Sequence, residues 1–549
     1  MSERKASDLF VECLEAEGVR YVFGIPGEET LDLNESLERS SVAFVPVRHE
    51  QGGAYMADMY GRLTQRAGVC LGTLGPGATN LITAVADAFL DRSPLVALTG
   101  QADLERMHKE SHQHIDIVSM FQPVTKWNVR LHSSRVIPEV VHKAFKVAQA
   151  QKPGPTHVEL PEDVMAETVD AAPLPAQLRV RRPEPSGREL LEAVSAIRSA
   201  ANPIVLAGNG VARVGAAPAL REFARATGIG VAETFMGKGL LDYEDPRALG
   251  TVGLQSRDYA LAGFEDADVV ITVGYDLVEH APKNWNPKRD KKIVCIDTVA
   301  AEVDEHFMTE ADLVGDLYHI LSRLTEELRD GGWGSGSGSR LNEIILGRFE
   351  SGRADDAFPM QPPRALWEIR EALGPHDMLI SDVGLHKLWI ARMFPAVEPN
   401  TVFIANGLAG MGIALPTAIA AKLVHPDRHV VTVSGDGGFL MNVQELETAV
   451  RLRTPVVNVI WENRQYGSIV WKQDKKFGRH FGTDFTNPDF VKLADAFGMP
   501  AWRCESVEDF GRHLRHALTL DLPSLVVLPI DYSIDVAISE ELGTETVAA

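Results

Sequence analysis

Apolar residues in this chain gather in short dense runs, separated by longer stretches in which they recur on one helical face. The runs include GVCLGTL (68–74) and PLVALTG (94–100), then PIVLAG (203–208), DVVITVG (268–274) and KIVCIDT (292–298). A third group is MLISDVG (378–384), HVVTVSG (429–435), PVVNVIW (455–461) and SLVVLPI (524–530). Such runs are short and show little polar alternation, which predicts strands buried on both faces. Helical patterns between them predict right-handed crossovers and parallel sheets. The scheme occurs three times over, so the expected fold class is α/β, with three doubly wound parallel-sheet domains. Ligands of such sheets sit beyond the carboxyl ends of the strands.

Punctuation places the boundaries. A first domain is expected over 1–170, followed by the proline-rich AAPLPAQLRVRRPEPSG (171–187). A middle domain is expected over 188–330. GGWGSGSGSR (331–340) opens a stretch, 331–361, that composition reads as a flexible linker, and the last domain is expected over 362–549. The net charge of −22, from 54 Lys+Arg against 76 Asp+Glu, argues against a nucleic-acid backbone as partner. Cys13, Cys70, Cys295 and Cys504 are far apart and show no metal spacing, so reduced structural thiols are expected. MSERKASDLF lacks the apolar stretch of a signal peptide, and no 18-residue apolar run appears elsewhere. The expected setting is the cytoplasm, with no membrane contact.

One turn stands out chemically. In VSGDGGFLMN (433–442), Asp436 sits among Gly435, Gly437 and Gly438 directly after a β-type run. Asn442 and Glu445 have the spacing of a helix-capping box. Val443, Leu446, Ala449 and Val450 share the face of the helix that follows. Pro455 stops that helix, and the next strand completes a βαβ unit. Asp436 and Asn463 are therefore expected at the same sheet edge. A carboxylate and an amide oxygen there suit Mg²⁺, which keeps phosphate and water oxygens among its ligands. Glycines leave backbone N–H groups open to an anion. Asp436 would hold the metal, and the glycines would make room for a diphosphate. The plain alternative is a tight turn with a solvated aspartate.

The stretch 435–467 resembles the thiamin diphosphate motif, GDG followed by paired asparagines. It departs at the first asparagine, where Glu462 stands. Asn463 matches the second, which ligates Mg²⁺ in the family, and the third protein ligand implied is the backbone carbonyl of Gln465. VFGIPGE (22–28), RHEQGGAYMADMYGR (48–62), LGPGATN (74–80) and NGLAGMGIALP (406–416) are similar, in order, to the acetolactate synthases of this superfamily. The resemblance implies that Glu50 relays a proton at the cofactor's pyrimidine, with Pro26 and Asn80 beside it. It implies that Met411 wedges the cofactor into a V, that the Ala409 carbonyl faces the 4′-amino group, and that His386 reaches the diphosphate. Gln113 falls on the family's active-site glutamine. Family sites are shared between subunits, which implies a homodimer at least and a homotetramer commonly.

The flavin-dependent branch carries an RFDDR-like element, whereas this chain has VGYDLVEHAPKNWN (273–286). That stretch, and SHQHIDIVSMFQPVTKW (111–127), resemble the FAD-independent catabolic enzymes, which implies that FAD is absent. GNGVARVG (208–215) lacks the GxGxxG spacing and reads as a strand-end turn. The expected reaction decarboxylates pyruvate, or a related 2-oxo acid, and joins the hydroxyethyl unit to a second pyruvate, giving 2-acetolactate and CO₂. Glu28 and Glu29 reverse the charge that the FAD-free branch carries after GIPG. Lys472 stands where the two branches carry Gln or Trp. The acceptor is therefore less defined than the donor. The alternatives are a 2-oxo acid decarboxylase that releases an aldehyde and a non-catalytic cofactor-binding or regulatory subunit.

Overall fold

The computed structural model describes residues 4–176, 182–253, 262–334 and 338–534. Among these residues three six-stranded sheets carry the fold. Every pairing within them is parallel. The first is built from Tyr21–Gly24, Ala43–Pro46, Gly68–Gly72, Leu95–Gln101, Trp127–Arg130 and Pro155–Pro161. The middle sheet uses Pro203–Ala207, Gly230–Thr234, Ala248–Val252, Val269–Val273, Lys292–Asp297 and Thr309–Val314. The third uses Met378–Ser381, Val402–Ile404, Val430–Gly435, Val456–Glu462, Ala501–Arg503 and Ser524–Pro529. Numbered from its own first strand, each outer sheet has the order 2-1-3-4-6-5, and the middle sheet has 3-2-1-4-5-6. The expected α/β class with three doubly wound sheets is therefore what the chain forms.

Strand composition follows from this layering. Helices cover both faces of a parallel sheet, so its strands need apolar side chains on both sides. Gly68–Gly72, Pro203–Ala207, Val269–Val273 and Val456–Glu462 are buried at every position. The strand order also fixes where a ligand can sit. It reverses between the first and third strands of each outer sheet, and at that switch point the two following loops part and leave a crevice. In the first sheet these loops start at Ile25 and Thr73. In the third they start at Asp382 and Asp436.

The three segments share cores. Helix Glu50–Thr64 packs against helix Ala414–Val424 through small buried residues, among them Ala54, Ala57, Ala414, Ala418 and Ala421. Phe264 and Trp285 of the middle segment share a second core with Leu366 and Trp389. All four cysteines are buried and free.

Two local expectations change. The stretch expected to be a flexible linker holds a helix, Gly338–Ser351, whose Ile345 and Phe349 join the second core. Before it, the Trp333 indole donates to the Ala200 carbonyl at 3.1 Å. The capping box at Asn442 does not form. The Asn442 amide donates instead to the Gly412 carbonyl at 2.9 Å, and helix Glu445–Leu452 begins without a side-chain cap. The Asn442 Oδ1, the atom a cap would use, accepts the Gln444 side-chain amide at 3.2 Å.

Candidate active site

The third sheet builds the turn first. Gly435 is in register with Trp461, so Asp436 and Asn463 leave adjacent strand ends together. Asp436 is 1 % exposed and opens a short helix, Asp436–Phe439. Its Oδ2 accepts the backbone N–H of Arg464 at 2.6 Å and of Asn463 at 3.2 Å. Its Oδ1 accepts the Gly437 N–H at 2.9 Å. Arg464 adopts φ 60°, the left-handed bend that folds this loop back over the carboxylate. Asn463 Oδ1 receives only a long contact, 3.4 Å, from the Gln465 N–H. The Gln465 side chain is drawn off to Asp484 Oδ1 at 2.7 Å. Asp436, the Asn463 amide oxygen and the Gln465 backbone are thus brought to one loop.

Sequence reasoning missed Asn487. Its Nδ2 donates to Asp436 Oδ2 at 2.9 Å and to Glu462 Oε1 at 3.2 Å. No periodicity connects it to the motif, and only the fold brings it there. It also partners Glu462, the residue at which the motif departs. That buried carboxylate is ion-paired with Arg503 and accepts from Asn487 beside the turn.

Close packing leaves little room for a side chain at Gly437 and Gly438. A Cβ on Gly437 would lie 2.8 Å from a Tyr466 ring carbon, and one on Gly438 would lie 3.1 Å from Asp382 Oδ2. His386 packs on Gly435, 2 % exposed, and its Nε2 has no hydrogen-bond partner. Burial pushes its imidazole down to about 3, so it is neutral near pH 7. An unpartnered buried polar atom costs about 1–3 kcal/mol. A phosphoryl oxygen would satisfy that nitrogen as an N–H donor. Asp382 ties in the loop that carries Met411: its Oδ1 accepts from Val383 N–H at 2.7 Å and Gly412 N–H at 2.9 Å. Burial pushes its carboxyl up to about 6. In that loop Ala409 has φ 57° and Met411 is half-buried.

The first sheet contributes the second constellation. Glu50 is the first residue of helix Glu50–Thr64 and is 7 % exposed. Its Oε2 accepts the Asn80 amide at 2.9 Å, and its Oε1 lies 3.4 Å from where a Gly77 Cβ would be. Pro26 is exposed two residues past strand Tyr21–Gly24, at the same switch point. Gln113 is exposed, with φ 57°. Its carbonyl would be 2.7 Å from a Cβ on Gly75, at the head of the helix that carries Asn80. Glu29 Oε2 is held by the Thr73 hydroxyl at 2.8 Å, while Glu28 is exposed. Lys472 is exposed on helix Gly467–Phe477.

These residues fit a diphosphate with a hard cation. Among the described residues no group of three or more His, Cys, Asp or Glu side chains could hold a metal. A cation at Asp436 would therefore take amide, carbonyl and ligand oxygens, the set that Mg²⁺ prefers. No described helix is long and apolar enough to cross a membrane.

Fold and site together define a cofactor-binding enzyme of the thiamin diphosphate class. Family models agree: the N-terminal thiamine pyrophosphate binding domain matches residues 4–120, the central domain 190–324 and the C-terminal binding domain 382–528. The acetolactate synthase of Bacillus subtilis is 34% identical over 547 residues, covering 98% of this chain and 95% of that protein. The catabolic acetolactate synthase of Raoultella terrigena is 35% identical over 534 residues, 96% of this chain and 95% of that protein. The large subunit of Escherichia coli isozyme 2 is 32% identical over 524 residues, 95% and 94% of the two chains. The chain belongs to the acetolactate synthase family of thiamine pyrophosphate enzymes.

Proposed function

We propose that the protein decarboxylates pyruvate and joins the two-carbon unit to a second pyruvate, giving 2-acetolactate and CO₂, with thiamin diphosphate and Mg²⁺. One observation carries the reading: a buried Asp436 beside the half-buried Asn463 at the third sheet's switch point accompanies a buried Glu50 bonded to the half-buried Asn80 at the first sheet's end. Thiamin diphosphate, when bound, supplies the carbon nucleophile and the electron sink that decarboxylation needs. Asp436, the Asn463 side chain and the Gln465 carbonyl would hold Mg²⁺. Gly435, Gly437, Gly438 and His386 would receive the diphosphate. Glu50 would hold the proton at the pyrimidine N1′, with Pro26 and Asn80 beside the ring. The Ala409 carbonyl would accept from the 4′-amino group, Met411 would set the bend, and Gln113 would face the substrate.

The reading includes no flavin. At the middle sheet's switch point, the Glu279 carboxylate accepts the Asn209 N–H at 3.2 Å and the Thr234 hydroxyl. A dinucleotide's diphosphate would need that same turn. Glu279 is 3 % exposed, and burial pushes its carboxyl up to about 8. The proposal also takes the domain bounds as 1–170, 188–330 and 362–549, the assembly as a homodimer or homotetramer, and the setting as cytoplasmic.

A direct decarboxylase is the second reading, kept because Glu28, Glu29 and the exposed Lys472 depart from the carboligase pattern and leave the acceptor less defined than the donor. Stoichiometry separates the two. Carboligation consumes two pyruvates for each CO₂ released, and aldehyde release consumes one. A ratio of one would move the protein to the second reading. Bound cofactor with no turnover of any 2-oxo acid would leave a non-catalytic subunit.

A further inference from the structure

The helix after the Asp436 turn reaches across to the first sheet. It begins at Glu445, which is 0 % exposed. Glu445 Oε1 accepts the backbone N–H groups of Arg48 and His49, each at 3.1 Å. Its Oε2 accepts the Thr448 hydroxyl at 2.6 Å. Farther along the same helix, Arg451 donates to the Pro46 carbonyl. The carboxylate also presses on Gly52, where a Cβ would lie 2.7 Å from Oε1. These contacts converge on the residues on either side of Glu50.

Strand Ala43–Pro46 ends before Arg48, so no sheet partner takes the Arg48 and His49 N–H groups. Glu445 is what fixes them. A buried carboxylate is tolerated only when it is hydrogen-bonded, and here its donors come from a helix entry, where the dipole also favours an anion. His49 in turn caps the helix that Glu50 opens, accepting the Gln51 N–H at 3.1 Å. The direction in which Glu50 leaves the sheet is thus set from the third segment.

We propose that Glu445 is a positioning residue for Glu50, acting through the Arg48 and His49 N–H groups. The proposal rests on the reading of Glu50 as the proton-holding carboxylate. It distinguishes a local task from general packing, because among the described residues Glu445's hydrogen bonds to the first segment go to Arg48 and His49, beside Glu50.

The test uses the full chain and the variants Glu445→Ala and Glu445→Gln. Without cofactor, amide hydrogen exchange of a peptide spanning 47–54 should speed up about tenfold in Glu445→Ala. With thiamin diphosphate and Mg²⁺, deuterium exchange at the cofactor's C2 should slow about tenfold, while cofactor affinity stays within about threefold of wild type. Glu445→Gln keeps an acceptor oxygen without the charge and should fall about two- to threefold below wild type. Wild-type C2 exchange in Glu445→Ala overturns the proposal. If that variant does not fold, wild-type C2 exchange in Glu445→Gln overturns it instead. A wild-type protein that binds the cofactor without accelerating C2 exchange overturns the functional reading, and the proposal with it.

Discussion

At the scale of single residues, the site rests on Asp436 and the donors that surround it. Asp436→Ala removes the only carboxylate of the proposed cation site. Thiamin diphosphate retention should fall at least about a hundredfold, measured by equilibrium dialysis with Mg²⁺. Asn487→Ala removes one orienting donor and should weaken Mg²⁺ binding by about tenfold. Equal affinity in both variants would remove the metal from this turn. Glu50→Gln keeps size and the Asn80 contact but loses the carboxylate. It should fold, bind cofactor and slow C2 hydrogen exchange by about 10²–10⁴-fold. Asp436 and Asn463 were legible in sequence because both lie at the ends of β-branched runs within one βαβ unit. Asn487 was not, because nothing local distinguishes TNPD as anything but a turn. Glu445 was visible but misread. Its spacing from Asn442 matched a local cap, while its true partners are the distant N–H groups of Arg48 and His49.

Among the elements, nine strands announced themselves as dense apolar runs, while others, among them the buried Pro155–Pro161 and two edge strands, did not. Trp127–Arg130 and Ala501–Arg503 lie at sheet edges and are only partly buried, so no dense apolar run marks them. Helix Gly338–Ser351 was hidden because glycine and serine dominate the stretch before it. One buried strand carries a testable pH dependence. His157, in Pro155–Pro161, is 0 % exposed, stacks on Phe121 at 4.1 Å and pairs with the Thr99 hydroxyl at 2.8 Å. Burial pushes its imidazole down to about 3. The unfolded chain binds that proton more tightly, so His157's contribution is complete above about pH 6.5 and is lost as pH falls toward 3. Replacing it with Gln should flatten the fall in stability between pH 6.5 and 5 by up to about 1.4 kcal/mol per pH unit. An unchanged slope in chemical unfolding would show that His157 does not titrate in this way.

At the scale of the whole molecule, the two constellations lie on different sheets of one chain, joined by shared cores and by Glu445. The proposed assembly should elute as a dimer or larger in size-exclusion chromatography with multi-angle scattering. A monomer with full activity would contradict shared sites. With Glu279 filling the middle turn, purified protein should show no visible flavin band, and a stoichiometric flavin spectrum would contradict the FAD-free assignment. The proposed chemistry is carboligation at a thiamin diphosphate site. Its most direct test is to incubate the protein with pyruvate, thiamin diphosphate and Mg²⁺ and to identify the product before and after acid treatment. 2-Acetolactate is expected before acidification and acetoin after it. Acetaldehyde as the main product before acidification, or no consumption of pyruvate, would contradict it.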